Sequence, residues 1–97
     1  MKYGIVITTL AYYDLEDAVV YYEGKVNGLG KRMEADFWKS VDVIQKSPLG
    51  YRIRYVFYRQ SMLEKFPYAV IYEVFGEKII IYRVAHLKLQ PEKRFKI

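Results

Sequence analysis

Ninety-seven residues, 53% hydrophobic and 28% charged, are enough for one hydrophobic core and little more, so one domain over residues 1–97 is expected. The absence of cysteine excludes disulfides, thiolate zinc sites and a cysteine nucleophile, and fits a reducing cytoplasm. The net charge of +5 is unevenly spread: residues 1–47 carry six Lys/Arg against seven Asp/Glu, and residues 48–97 carry ten against four. A basic second half favours an anionic partner, either a nucleic acid or an acidic protein segment.

The opening "MKYGIVITTL" has too short an apolar run for a signal peptide. No stretch approaches the roughly 18 apolar residues of a membrane span, so a cytoplasmic protein without membrane contact is expected. "KYGIVIT" reads as a short strand. The period then changes. Ala11, Leu15, Ala18, Val19, Tyr22 and Val26 share one helical face, and Thr8 or Thr9 is placed to cap a helix over about 9–26. "NGLG" interrupts it. Met33, Phe37, Val41 and Ile44 then mark a second helix over about 30–47, which Pro48 and Gly50 end. Two amphipathic helices with a short break between them form a helical hairpin. Its buried face should hold Leu15, Val19, Tyr22, Phe37, Val41 and Ile44.

The remainder reads as β. In "YRIRYVF" the alternation puts Ile53, Tyr55 and Phe57 on one face and Arg52, Arg54 and Val56 on the other. "RQSML" is a candidate to pair next. "PYAVIYEVF" and "KIIIYRVA" are the two strongest strands. Gly76-Glu77 between them suits a two-residue type II′ turn. Pro67 stands immediately before the first of these strands, where its missing N–H costs least. The tail "HLKLQPEKRFKI" is basic. The expected order is β-α-α-β-β-β(-β). The class is α+β, with the hairpin of helices on one face of a mainly antiparallel sheet.

One histidine and scattered acids make no metal cluster, and no phosphate loop or dinucleotide fingerprint is present, so no cofactor or metal is expected. The chemistry-bearing residues that remain are Arg, Lys and Tyr on strands, together with His86. His86 has a structural alternative, a hydrogen bond to a backbone carbonyl at the end of its strand. Arg59 has one too, a cross-strand pair with Glu64 or Glu73. Arg83, in mid-strand, must leave by the open face or find a carboxylate.

"DLEDAVVYYE" with "GLG" behind it, Arg59 seven residues before "FPYAVIY", and "IIIYRVAHLKLQP" occur in this order between Ala11 and Pro91. In these motifs the chain resembles the RelE/ParE superfamily of type II toxin–antitoxin toxins, and within it the ParE-like, plasmid-stabilisation branch. The resemblance implies a cognate antitoxin and a possible higher-order toxin–antitoxin complex. It also implies a target. ParE-like members look like inhibitors of DNA gyrase, and RelE-like members look like metal-independent, ribosome-dependent mRNA endonucleases. RelE-like enzymes often carry an arginine where this chain has Ala69, and a tyrosine near the end where it has Phe95. These departures favour gyrase inhibition by binding. On that reading Arg59, Arg83, Arg52 and Arg54 are the target- or RNA-binding candidates. His86 and Lys88 are catalytic only if the chain is a nuclease. A non-toxic interaction module is the third alternative.

Overall fold

The computed structural model describes residues 3–95. Strand β1 (Gly4–Ile7) leads into helices α1 (Thr9–Lys25) and α2 (Leu29–Lys46), and a 3₁₀ turn (Pro48–Gly50) follows. Strands β2 (Ile53–Tyr55), β3 (Tyr58–Met62), β4 (Tyr68–Phe75) and β5 (Lys78–His86) come next, and a single helical turn, α3 (Pro91–Arg94), closes the order. The five strands form one sheet in the order β1-β5-β4-β3-β2. All neighbours are antiparallel except β1 and β5, which run parallel from Gly4↔Lys78 to Ile7↔Ile81. The expected α+β architecture is present, with the fourth strand of the second half included.

Local chemistry accounts for the helix ends. Thr8 caps α1, its hydroxyl accepting the Ala11 N–H at 3.2 Å and donating to the Tyr82 carbonyl at 3.1 Å. One side chain therefore fixes both the helix start and its position over β5. Gly28, with φ +85°, turns the chain into α2. Two residues later Gly30 lies so close to α1 that an added Cβ would stand 2.7 Å from the Val19 carbonyl oxygen. "GLG" thus supplies both the turn and a close approach of the two helices.

The Glu23 carboxylate accepts the Gly28 and Gly30 amides, each at 2.9 Å, and so supplies the cap that α2 lacks from its own first residue. These two amides, that of Gly28 first, hold the Glu23 carboxyl below its ordinary value. A depressed folded value stabilises fully above the unfolded value near 4.5 and fades as pH falls through the folded one. Glu23→Gln should therefore lower Tm at neutral pH, and its gap to the parent should narrow as the pH falls below about 4.5. A gap that stays constant from pH 7 to pH 2 would show that the carboxylate charge contributes nothing.

The helices cover one face of the sheet. Ala11, Leu15, Ala18, Met33, Phe37, Val41 and Ile44 pack on Val70, Tyr72, Ile79, Ile81 and Val84. Of the six residues expected in this core, four are buried, while Val19 and Tyr22 are half-buried at its margin. Val26, expected on the same face, is instead the exposed residue that ends α1. On the second face Ala69 and Ile71 lie under Phe95, flanked by Tyr58 and Leu87. The basic tail thus returns to roof the sheet.

β4 begins at Tyr68, directly after Pro67, as expected. Gly76 has φ +61° while Glu77 keeps a negative φ, which fits a type II′ turn and excludes type I′. The "YRIRYVF" segment differs from expectation. β2 stops at Tyr55, and Val56-Phe57 form the turn of a hairpin in which Tyr55 faces Tyr58. Ile53, Tyr55 and Phe57 are all exposed. Arg54 is the extra residue of a bulge, since Ile53 pairs with Arg59. Val56 takes φ +55°, a left-handed conformation that costs a β-branched residue roughly 1–2 kcal/mol.

Candidate functional site

The candidate residues fall in three places. The first is the C-terminal end of β5. A second bulge, at Tyr82, shifts the β4–β5 register between Ile71↔Arg83 and Tyr72↔Ile81. β1 pairs only as far as Ile81, so the edge of β5 is open beyond that point. Arg83 reaches α1 there. Its Nε donates to Asp14 Oδ2 at 2.7 Å and its Nη2 to Oδ1 at 3.1 Å, a two-point clamp. The Val84 amide donates to the same carboxylate at 3.0 Å. The hydrogen bond to Asp14 raises the Arg83 guanidinium above its ordinary value, against the opposing pull of burial. Arg83 thus finds the carboxylate that a mid-strand arginine needs, and fastens α1 to the sheet.

His86 lies opposite Tyr68 with the two rings edge to face, 4.9 Å between centroids. Its Nδ1 accepts the Lys88 amide at 3.0 Å, so in the neutral ring the proton sits on Nε2. The backbone partner is thus an amide that donates to the ring, not the carbonyl that was expected. Tyr21, Tyr22, Tyr68, His86, Lys88 and Leu89 line an open groove of about 490 Å³ between α1 and the end of β5. Burial, reinforced by the neighbouring Tyr22, pushes the Tyr68 phenol up to about 12. A hydrogen bond to Glu73 at 2.8 Å, ahead of burial, does the same for Tyr82. Both phenols therefore keep their protons at neutral pH, as donors rather than bases.

The second place is the middle of β3. Arg59 faces Tyr72, four residues along β4 from the partner of His86, roughly 13 Å at strand rise and a further strand away. Its guanidinium donates to the Tyr51 carbonyl. Neither expected carboxylate takes it, because Glu73 accepts from Tyr82 and Glu64 pairs with Lys39 at 3.0 Å. Beside it, the buried Tyr72 hydroxyl donates to the Pro48 carbonyl at 2.7 Å and secures the 3₁₀ turn.

The third place is the β2–β3 hairpin, which carries Arg52 and Arg54, both exposed. The sheet therefore gathers Arg83, His86 and Lys88 along one segment and leaves Arg59, Arg52 and Arg54 apart from them. Arg94 was not singled out in the sequence. It donates to the Leu89 carbonyl at 2.8 Å and Gln60 Oε1 at 3.3 Å, which ties the tail to β3. Among the described residues no group of three or more His, Cys, Asp or Glu is placed to hold a metal ion, and no helix is long and apolar enough to cross a membrane.

Two solved structures share this architecture. A chain of the chromosomal ParDE TA system from P. aeruginosa superposes with a TM-score of 0.74 at 24% identity, over 90% of this chain and 98% of that one. The chain has the RelE/ParE fold. A chain of the RelBE2 toxin–antitoxin complex from Mycobacterium tuberculosis matches with a TM-score of 0.59 at 18% identity, over 89% and 99%. No protein-family model matches the sequence, and no curated protein matches it significantly. Within the RelE/ParE fold, both positions that depart from the RelE-like pattern lie in one apolar cluster. Ala69 is fully enclosed in this cluster, beneath Phe95.

Proposed function

We propose that the chain is the toxin of a type II toxin–antitoxin module, neutralised by a cognate antitoxin, and that it inhibits DNA gyrase by binding rather than by chemistry. The similarity to chains from ParDE and RelBE2 assemblies supports the toxin–antitoxin part of this reading. One observation carries the mechanistic part. Metal-independent RNA cleavage needs a proton acceptor, a proton donor and free cations converging on one phosphate. Here the Arg59 guanidinium is committed to the Tyr51 carbonyl and Arg83 to Asp14, while Ala69 is sealed under Phe95. His86 is left with Lys88 as its near cation, in a groove of phenols.

The test sets two assays side by side, gyrase supercoiling and cleavage of ribosome-bound mRNA, for the parent and for a folded His86→Gln. The parent should inhibit supercoiling, and the variant should keep that inhibition within about threefold. Neither should cleave mRNA. Robust cleavage by the parent that falls ~10²-fold or more in His86→Gln, with supercoiling untouched, would establish the endonuclease instead.

A further inference from the structure

From Val43 to Leu63 the chain holds no acidic residue, while Lys46, Arg52, Arg54 and Arg59 all fall within it. The centre of this stretch is the β2–β3 hairpin. β2 is the outermost strand of the sheet, with one neighbour. Arg52 and Arg54 are exposed and make no hydrogen bond or ion pair among the described residues. Ile53, Tyr55, Val56 and Phe57 are exposed beside them. A hairpin edge that shows water four large apolar side chains and two uncommitted guanidiniums is built for contact. The tip is also held in a conformation that its residue resists. Val56 keeps φ +55°, where a glycine or asparagine would sit without strain.

We propose that this hairpin is a docking element for duplex DNA. Resting on the gyrase reading above, it assigns to the DNA that gyrase handles a direct contact with the toxin. Charge selects a polyanion, because no acid on the hairpin opposes the two arginines and α3 beside it adds Lys93 and Arg94 against Glu92. Shape selects the duplex. A two-stranded ribbon fits the major groove, about 12 Å wide, with its apex on base edges and its flanking arginines on phosphates. Ring placement disfavours a single strand, which binds by stacking bases on free aromatic faces. Tyr55 lies against Phe95 with centroids 5.8 Å apart, and Phe57 against Tyr58 at 4.7 Å. Each ring therefore has one side taken by a neighbouring ring, which leaves less free face for stacked bases than an isolated exposed ring would.

The experiment is fluorescence anisotropy of a labelled duplex of about 20 base pairs, titrated with the full chain from 50 to 200 mM salt. The parent should bind, and its affinity should fall linearly with log salt. Arg52→Ala/Arg54→Ala should bind at least 10-fold more weakly, with the log–log slope reduced by about two, near 0.9 for each lost phosphate contact. Lys25→Ala/Lys31→Ala removes the same charge from the helices and should leave both quantities nearly unchanged. Val56→Gly should weaken binding several-fold without lowering Tm, a split that a purely structural turn residue does not give. Three outcomes would overturn the proposal: no salt-dependent binding, a single strand of equal length binding as tightly as the duplex, or an arginine variant that behaves like the lysine control. Naked DNA contains no gyrase. Loss of supercoiling inhibition with DNA binding intact would therefore refute the gyrase reading alone, and intact inhibition without DNA binding would refute the hairpin alone.

Discussion

Phe37→Ala should destabilise the fold by about 3–5 kcal/mol. Phe37 is fully enclosed at the middle of α2, where helices and sheet meet, and lies edge to face with Trp38 at 4.9 Å. Truncation removes the transfer free energy of the ring and leaves a cavity that Met33, Ile44 and Tyr72, themselves without exposure, are poorly placed to fill. Domains of this size are stable by only about 5–15 kcal/mol, so the variant should lose a large part of the total. Urea titration should show a lower midpoint with an unchanged slope. A loss under about 1 kcal/mol would mean that the core closes around the gap and that its packing is looser than the burial implies.

Asp36→Ala should cost roughly 2–3 kcal/mol, a large effect for a polar residue on a helix. The Asp36 carboxylate is only 5% exposed, and its Oδ2 accepts the Lys65 amide at 2.8 Å and the Phe66 amide at 3.1 Å. Alanine would leave two donors without a partner at the entry to β4. Asp36→Asn keeps one oxygen acceptor and should restore about half of the loss. The discriminating readout is hydrogen exchange at Lys65 and Phe66, which should speed up in the alanine variant and stay near parental in the asparagine one. If Asp36→Ala costs less than about 0.5 kcal/mol, water satisfies the loop and the carboxylate is not its anchor.

Periodicity made both helices legible in the sequence, because Leu15, Phe37, Val41 and Ile44 repeat at helical spacing and all reach the core. The strongest hairpin was legible from Gly76-Glu77 and its lower strand boundary from Pro67, two positions where backbone chemistry is local. Asp36 was not, because its burial depends on a loop some thirty residues away that folds back over α2. The Val56-Phe57 turn was equally hidden. Neither residue favours a turn, and the alternation from Tyr51 to Phe57 mimics one strand. The break is set by the pairing of β3 with β4, which no local signal announces. Among the site candidates, Arg83 had two expected outcomes, the open face or a carboxylate, and the carboxylate it finds stands 69 positions away. The bulge at Tyr82 and the open edge beyond Ile81 join them, and both follow from the assembled sheet. The acids offered as structural partners for Arg59, Glu64 and Glu73, have partners of their own, and its guanidinium donates to a carbonyl instead.

The parallel pairing of β1 with β5 sets an order of events. The first strand made is bonded only to the last, so Gly4 must wait for Lys78 to exist before its ladder can form. The helical hairpin closes locally through Gly28 and Gly30 and needs no such delay. During synthesis at about 5–20 residues per second, the hairpin is present for several seconds with its apolar face uncovered and β1 unpaired. Such a non-local parallel closure is intrinsically slow. Arg83 and Val84, which fasten α1 at Asp14, arrive just after the strand partner of β1. The sheet therefore locks as β5, residues 78–86, emerges. Interruptions before residue 78 should yield helical but sheet-poor fragments that bind a hydrophobic dye.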